Sequence, residues 1–206
     1  MGYTVFGELP DYPKGHTTYC LFKKLKEHYK HVIDISPIKN LKTNNLNIRK
    51  ATETDFDKVW EIFSKVIETG DTYVFNPNTP KQDLQKHWFA SYMETYVIEE
   101  NGIILGTYII KPNQIDLGSH IANCSYMVNP NAQGKGIGKK LCEHSLVVAK
   151  ERGYIGIQFN IVVSTNEGAV RLWKKYGFEI IGTTPNGFKH AKLGFVDTYI
   201  MYKNIS

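Results

Sequence analysis

Glycines and polar residues crowd one stretch of the chain, residues 123–138, which reads Asn-Cys-Ser-Tyr-Met-Val-Asn-Pro-Asn-Ala-Gln-Gly-Lys-Gly-Ile-Gly. The alternating, strand-like run Ile121–Val128 ends in a turn at Asn129–Asn131, and a helical pattern begins near Lys139. Glycines in such a turn let several backbone N–H groups point at one spot without interference from a Cβ atom. The first N–H groups of a helix have no partners within it and lie at the positive end of its dipole. The stretch therefore predicts a binding loop for a phosphate or pyrophosphate.

The spacing within the loop separates three kinds of phosphate-binding turn. A Walker A loop requires Ser or Thr after its lysine, and neither follows Lys139–Lys140. A dinucleotide-binding turn requires Gly-x-Gly-x-x-Gly, and the glycines of Gly134–Gly138 lie one residue too close together. Gln133, Gly136 and Gly138 instead follow the order [Gln/Arg]-x-x-Gly-x-[Gly/Ala]. The loop thus resembles the pyrophosphate loop of the GNAT-type N-acetyltransferases, and a glycine-rich turn without a ligand is the alternative.

A second block downstream fits the same resemblance. After the strand-like run Tyr154–Val163, Asn166, Ala169 and the pair Gly177–Phe178 match the "Asn-x-x-Ala … Gly-Phe" block of that family. The chemistry of these residues agrees, because asparagine caps helices and glycine ends them. The resemblance covers about residues 46–203. It implies an acetyl-CoA-dependent N-acetyltransferase that binds coenzyme A through a set of residues in and around the loop. These residues are Met127, Val128, Gln133, Gly134, Lys135, Gly136, Ile137, Gly138, Lys139 and Asn166.

Further segments resemble one branch of that family, the proline-analogue N-acetyltransferases, which take L-azetidine-2-carboxylate and related imino acids. In that branch three asparagines matter, and the resemblance assigns those roles to Asn123, Asn160 and Asn166. The loop departs from the branch because it begins with Gln133 rather than Arg and keeps both later glycines. The matching segments are Glu68-x-Gly70-x-Thr72-Tyr73, Leu105–Asn113, Ser119-His120, Phe159-Asn160, Thr165-Asn166 and Leu172-Trp173.

The chemistry of acetyl transfer can be compared with the residues present. Attack of an amine on a thioester needs a neutral amine, a polarised carbonyl and an acid for the leaving thiolate. Many family members supply that acid as a tyrosine, and the resemblance puts Trp173 in its position. An indole donates a hydrogen bond but transfers no proton near neutral pH, and Tyr176 lies at a different helical angle. We therefore expect catalysis to rest on the carboxamides of Asn123 and Asn160, for which structural amides at strand edges are the alternative.

The aromatic loop of residues 70–78 bears on the substrate. Tyr73, Val74 and Phe75 favour a small, lidded pocket, with Tyr73 and Phe75 joining Asn123 and Asn160 as substrate contacts. The expected substrate is a small-molecule amine, in particular an amino or imino acid. A protein N-terminus or lysine side chain would need an open groove. A non-catalytic acyl-CoA-binding module is a further alternative.

The composition is typical of a single enzyme domain and does not favour nucleic acid, metal or membrane partners. The chain has 206 residues, of which 42% are hydrophobic, enough to bury a sizeable core. The formal charge of +5 comes from scattered lysines and arginines, whereas nucleic-acid binders concentrate them. The histidines and cysteines follow no metal-ligand spacing, and no signal peptide or long apolar run is present. We expect a cytoplasmic protein with reduced thiols, without metal, nucleic acid or membrane partners, and leave a homodimer open.

The order of elements predicts an α/β protein of the GNAT fold, a mixed central sheet of about seven strands with helices on both faces. Residues 1–45 are expected to form an N-terminal extension packed on the acetyltransferase domain, residues 46–206. The predicted elements include an amphipathic helix at Tyr19–Tyr29, a helix at Lys81–Tyr92, a hairpin turn at Asn101-Gly102 and final strands at Ile180–Thr183 and Thr198–Tyr202.

Overall fold

The computed structural model describes residues 3–9, 18–23 and 46–206, and it divides into two units, Met1–Lys42 and Thr43–Ser206. In the first unit, strands β1 (Tyr3–Leu9) and β2 (Thr18–Lys23) pair antiparallel. The helix predicted at Tyr19–Tyr29 is therefore wrong up to Lys23, and the rest of it lies outside the described residues. The run Tyr19–Phe22 is rich in strand-forming residues, and a pairing partner decides such short segments more than periodicity does.

The second unit is built on a seven-stranded sheet, which confirms the predicted mixed sheet of about seven strands. Its strand order is β3-β4-β5-β6-β7-β9-β8, and every neighbouring pair is antiparallel except β6 and β7. The strands are β3 (Leu46–Lys50), β4 (Glu94–Glu100), β5 (Ile103–Pro112), β6 (Ile121–Val128), β7 (Gly156–Val163), β8 (Glu179–His190) and β9 (Gly194–Asn204).

Four helices cover the two faces of this sheet. Helices α1 (Phe56–Glu68) and α2 (Leu84–Trp88) share one buried cluster with Ile109 and Met127 of the sheet. Helices α3 (Ile137–Glu151) and α4 (Glu167–Lys175) share the other cluster, which includes Cys124 and Phe159. None of the helices in the described part of the chain has the length and apolar character that crossing a membrane requires.

The turn predicted at Asn101-Gly102 is confirmed. Both residues have positive φ, 51° and 77°, as the tight hairpin turn between β4 and β5 demands. The helix predicted at Lys81–Tyr92 is shorter than expected. It begins as a 3-10 turn at Lys81–Asp83 and ends at Phe89, whose φ is −131°. The ring of Phe89 packs against Phe56 of α1 at 5.4 Å between centroids, so tertiary packing ends the helix early.

The last two strands form a longer hairpin than the one predicted. The strand predicted at Ile180–Thr183 continues through Pro185-Asn186-Gly187 to His190, with a register shift between Thr184 and Phe188. Asn186 takes up a positive φ of 54°, and its N–H donates to the Asp197 carboxylate at 2.9 Å. A side chain on the partner strand thus satisfies the irregular backbone, which the local sequence does not reveal.

An opening in the sheet separates β6 from β7. The two strands pair only at Ile121–Gly156 and Ala122–Ile157 and then diverge, while each stays paired with its outer neighbour. The Asn123 amide donates to the Gln158 carbonyl at 2.9 Å just past the last pair. Beyond that point the facing edges of the two strands leave a cleft with unpaired backbone groups.

Candidate active site

The glycine-rich loop joins β6 to the N-terminus of α3. It passes through one 3-10 turn at Pro130–Ala132, and α3 then runs for 15 residues from Ile137. Gly134 and Gly136 have φ values of 78° and 72°, which side chains other than glycine rarely adopt. A Cβ atom at either position would meet no other atom within 4 Å, so the loop has open space above it.

The loop therefore fits a pyrophosphate. Its backbone N–H groups lie at the positive end of a long helix, and the first turn of α3 contains no acidic residue. Residues 133–136 are exposed, whereas the Ile137 side chain is buried in the core. Met127 is only 1% exposed, so its side chain is not available to a ligand.

A cavity of about 330 Å³ lies at the opening between β6 and β7. Small-molecule sites commonly measure about 300–1,000 Å³. The cavity brings together five predicted site residues, and the predicted cofactor-binding residues other than Asn166 lie outside its lining, at the β6 end and the loop. The five are Tyr73, Phe75, Asn123, Asn160 and Asn166.

A chain of hydrogen bonds fixes the Asn160 carboxamide. Its amide N–H donates to Asn113 Oδ1 at 2.8 Å, and its oxygen accepts from Gln158 Nε2 at 2.9 Å. One N–H and one lone pair of Asn160 therefore remain for a ligand. Sequence reasoning missed both partners. Strand alternation could have predicted Gln158 as a partner, because residues two apart in a strand share a face. Asn113 lies 47 residues away in the sequence, so no local pattern predicts it.

The other two asparagines are also held in place. Asn123 is 9% exposed and donates one N–H of its side chain to the Gln158 carbonyl. Asn166 caps α4, with its side-chain oxygen accepting from the Ala169 N–H at 3.2 Å, and it lines the cavity at the same time. Helix capping and a position in the site therefore coexist at this residue.

The aromatic loop borders the cavity and is tied to β6. The Tyr73 hydroxyl donates to the Tyr126 carbonyl at 2.6 Å, and burial raises the pKa of that hydroxyl above its usual value. The rings of Tyr73 and Phe75 stack at 5.9 Å between centroids. Tyr73 thus forms part of the cavity wall, and its hydroxyl proton is donated to the Tyr126 carbonyl.

Trp173 and Tyr176 lie in different surroundings. Trp173 lines the cavity, is 8% exposed and packs its ring 4.8 Å from those of both Tyr126 and Phe159. The Tyr176 hydroxyl instead donates to Glu143 on α3 at 2.7 Å, and this bond raises its pKa to about 12. Tyr176 therefore does not replace the missing acid.

The cavity contains no carboxylate or imidazole base among the residues that the structure describes. No Asp, Glu or His belongs to its lining. Burial raises the pKa of Cys124 to about 12 and that of Tyr126 well above its usual value, so both stay protonated near neutral pH. The arrangement offers hydrogen bonds and shape rather than proton transfer by a side chain.

Comparison with known proteins agrees with this geometry. The model of the "Acetyltransferase (GNAT) family" matches residues 58–178, which include the loop, Asn166 and Gly177–Phe178. N-acetyltransferase aca1 of Schizosaccharomyces pombe is 30% identical over 151 residues, 65% of this chain and 72% of that protein. L-amino acid N-acyltransferase MnaT of Escherichia coli is 27% identical over 145 residues, 68% of this chain and 83% of that protein.

Among solved structures, a GCN5-related N-acetyltransferase from Kribbella flavida superposes with a TM-score of 0.74 and 33% identity, covering 77% of this chain and 97% of that one. The family match spans more than half of the 206 residues. The glycine-rich loop and the opened sheet agree with the family match, which identifies the chain as a member of the GNAT family with the predicted GNAT fold, an acetyl-CoA-dependent N-acetyltransferase.

Proposed function

We propose that the protein acetylates the amine of a free amino or imino acid. The observation that carries this proposal is the pair Asn123 and Asn160, which line one cavity of about 330 Å³ where β6 and β7 separate. Carboxamides both donate and accept hydrogen bonds, and thus suit a ligand that carries an amine and a carboxylate.

We assign the cofactor to the end of the opening that lies at the C-terminal end of β6 and the glycine-rich loop. Acetyl-CoA, when bound, would supply the acetyl group as a thioester: the amine nitrogen bonds to the carbonyl carbon, the C–S bond breaks, and coenzyme A leaves as a thiolate that takes up the proton lost by the amine. The N–H groups of Gln133–Lys139 would hold its pyrophosphate, and Val128, whose backbone groups face the opening, would offer them to the pantetheine arm. Asn166, at the cavity rim, is the third contact.

The protein's part in the reaction is orientation. Asn160 keeps one donor and one acceptor free, and its two partners fix their direction. No carboxylate or imidazole among the described residues lines the cavity, so the amine must reach the site in its neutral form. Trp173 contributes packing against the rings of Tyr126 and Phe159.

Two observations support a small substrate. The Tyr73–Phe75 loop is tied to β6 by the Tyr73 hydroxyl, and it bounds the cavity where a peptide chain would need an open groove. The E. coli relative is an L-amino acid N-acyltransferase, which favours the same substrate class. The sequence resemblance to the proline-analogue enzymes narrows the proposal to imino acids such as L-azetidine-2-carboxylate.

A substrate screen tests this proposal. Release of coenzyme A from acetyl-CoA by the full chain is measured with L-azetidine-2-carboxylate, proteinogenic amino acids, polyamines and peptides with free N-termini. We expect amino or imino acids to give the highest kcat/KM. Turnover confined to peptides or polyamines would contradict the proposal. Tight acetyl-CoA binding without release by any amine would instead favour a non-catalytic acyl-CoA-binding module.

A further inference from the structure

Lys111 is the one charged residue in the cavity lining among the residues that the structure describes. It lies at the end of β5 and pairs directly with Asn123 across β6. Directly paired residues project to the same face of a sheet. Ile110, next to Lys111, packs in the cluster of α3 and α4, so Lys111 faces the side of α1 and α2.

Asn160 belongs to the same face. Its neighbour Phe159 packs against Trp173 of α4, and alternation along β7 turns Asn160 the other way. The hydrogen bond from Asn160 to Asn113, two residues beyond Lys111, joins β7 to the end of β5 at this point. Lys111, Asn123 and Asn160 therefore border one side of the opening, whereas Trp173 borders the other.

The ammonium group of Lys111 is not neutralised by the described part of the protein. It takes part in none of the ion pairs found there. Its Nζ lies 5.5 Å from the centroid of the Tyr92 ring. A cation–π contact of this kind is worth about 0.5–1 kcal/mol at exposed sites and leaves the N–H donors free. A half-buried cation beside a cavity without carboxylates suits an anionic ligand group.

The phosphates of coenzyme A are not that group. β5 and β6 stay paired between the Lys111–Asn123 pair and the Gly106–Val128 pair, and the glycine-rich loop begins beyond Val128. Five residues of strand span roughly 17 Å at about 3.4 Å each. A pyrophosphate on the loop is therefore out of reach, and the anion must come from the second substrate.

We propose that Lys111 binds the carboxylate of the amino or imino acid and so sets the preference of the enzyme for acids over simple amines. This inference rests on the proposed function. A charge-assisted bond from Lys111 holds one end of the substrate, while Asn160 orients the amine at the other.

Kinetics on a matched pair of substrates test the role of Lys111. The probes are L-azetidine-2-carboxylate and its carboxamide, or the best amino acid from the screen and its own carboxamide. We expect Lys111→Met to lower the ratio of kcat/KM for the acid to that for the amide by about 10- to 100-fold, mainly through KM. Lys111→Arg should retain most of the ratio. The different basicity of the two amines cancels when variants are compared.

Two controls keep the result interpretable. Lys189→Met removes the same charge from an exposed position on β8 and should leave the ratio unchanged. Acetyl-CoA affinity, measured by calorimetry, should be the same in Lys111→Met and wild type, and Lys111→Gln serves if the Met variant fails to fold. An unchanged ratio in Lys111→Met, with the wild type still preferring the acid, would overturn this inference alone. Wild-type turnover confined to amines without a carboxylate would overturn it together with the proposed function.

Discussion

Asn160 shows how a neutral side chain can be given a fixed direction in an enzyme site. Asn113 and Gln158 each take one hydrogen-bonding group of its carboxamide, at 2.8 and 2.9 Å, and leave the other two for a ligand. Positioned donors of this kind need no reorganisation when a substrate binds. At the residue scale, we therefore propose that Asn160 acts by orienting the substrate and that the amine enters the site already neutral.

The pH dependence of the reaction follows from this arrangement. Because no Asp, Glu or His of the described residues lines the cavity, we expect kcat/KM to rise with pH as the substrate amine loses its proton. Substrates with less basic amines should show the rise at lower pH. The measurement is kcat/KM from about pH 6 to 9 for two substrates of different amine basicity. A plateau at one pH for both would reveal an enzyme base and contradict the account.

At the element scale, two features create the site: the separation of β6 from β7 and the glycine-rich entry to α3. The parallel pairing ends after Ala122–Ile157, and the cavity occupies the space that further pairing would have filled. Gly134 and Gly136 need positive φ to bring the chain into α3. The opening thus joins the proposed phosphate-binding loop to the proposed substrate cavity.

Charge at the loop should govern cofactor affinity. Gly136→Glu and Gly136→Lys impose the same strain at a φ of 72° and both project into open space, but they carry opposite charges. We expect the Glu variant to bind acetyl-CoA at least about ten-fold more weakly than the Lys variant, because a carboxylate repels the pyrophosphate. Gly138→Glu should weaken binding in the same direction. Calorimetry on folded variants measures the difference, and equal affinities for Glu and Lys at position 136 would refute the loop assignment.

Local sequence signals predicted these central elements well. The helix after the loop, the strand Gly156–Val163 and the Asn166 cap all follow from short patterns with capping or glycine residues. The predictions are wrong where residues distant in the sequence determine the local structure. Strand pairing overrides the helical pattern at Tyr19–Phe22, and a partner side chain, Asp197, supports the irregular backbone at Asn186. Neither is visible in a window of ten residues.

At the scale of the whole molecule, the predicted site residues divide into two groups. The family resemblance led to the three asparagines and the aromatic loop, and they line one cavity. Lys111, Asn113 and Gln158 were not predicted as site residues, because their importance depends on which strands are neighbours and where two of them separate. The roles proposed for them follow from the topology of the sheet and not from any motif.

The packing of residues 1–45 on the acetyltransferase domain stays a prediction. The segment is rich in apolar residues at positions 21–35, which favour burial over exposure. We expect a chain of residues 46–206 to melt at a lower temperature or to bind a hydrophobic dye more strongly than the full chain. Identical melting and dye binding would count against this prediction.

The most direct test of the catalytic account compares two substitutions in the same cavity by steady-state kinetics with the best substrate from the screen. Asn160→Ala should lower kcat by about 10²–10³-fold, the usual effect of losing a positioned donor from a desolvated site. Trp173→Phe keeps the packing against Tyr126 and Phe159 and should reduce kcat by less than about ten-fold. An inactive Trp173→Phe beside a nearly normal Asn160→Ala would contradict the account and move the search for catalytic groups to α4.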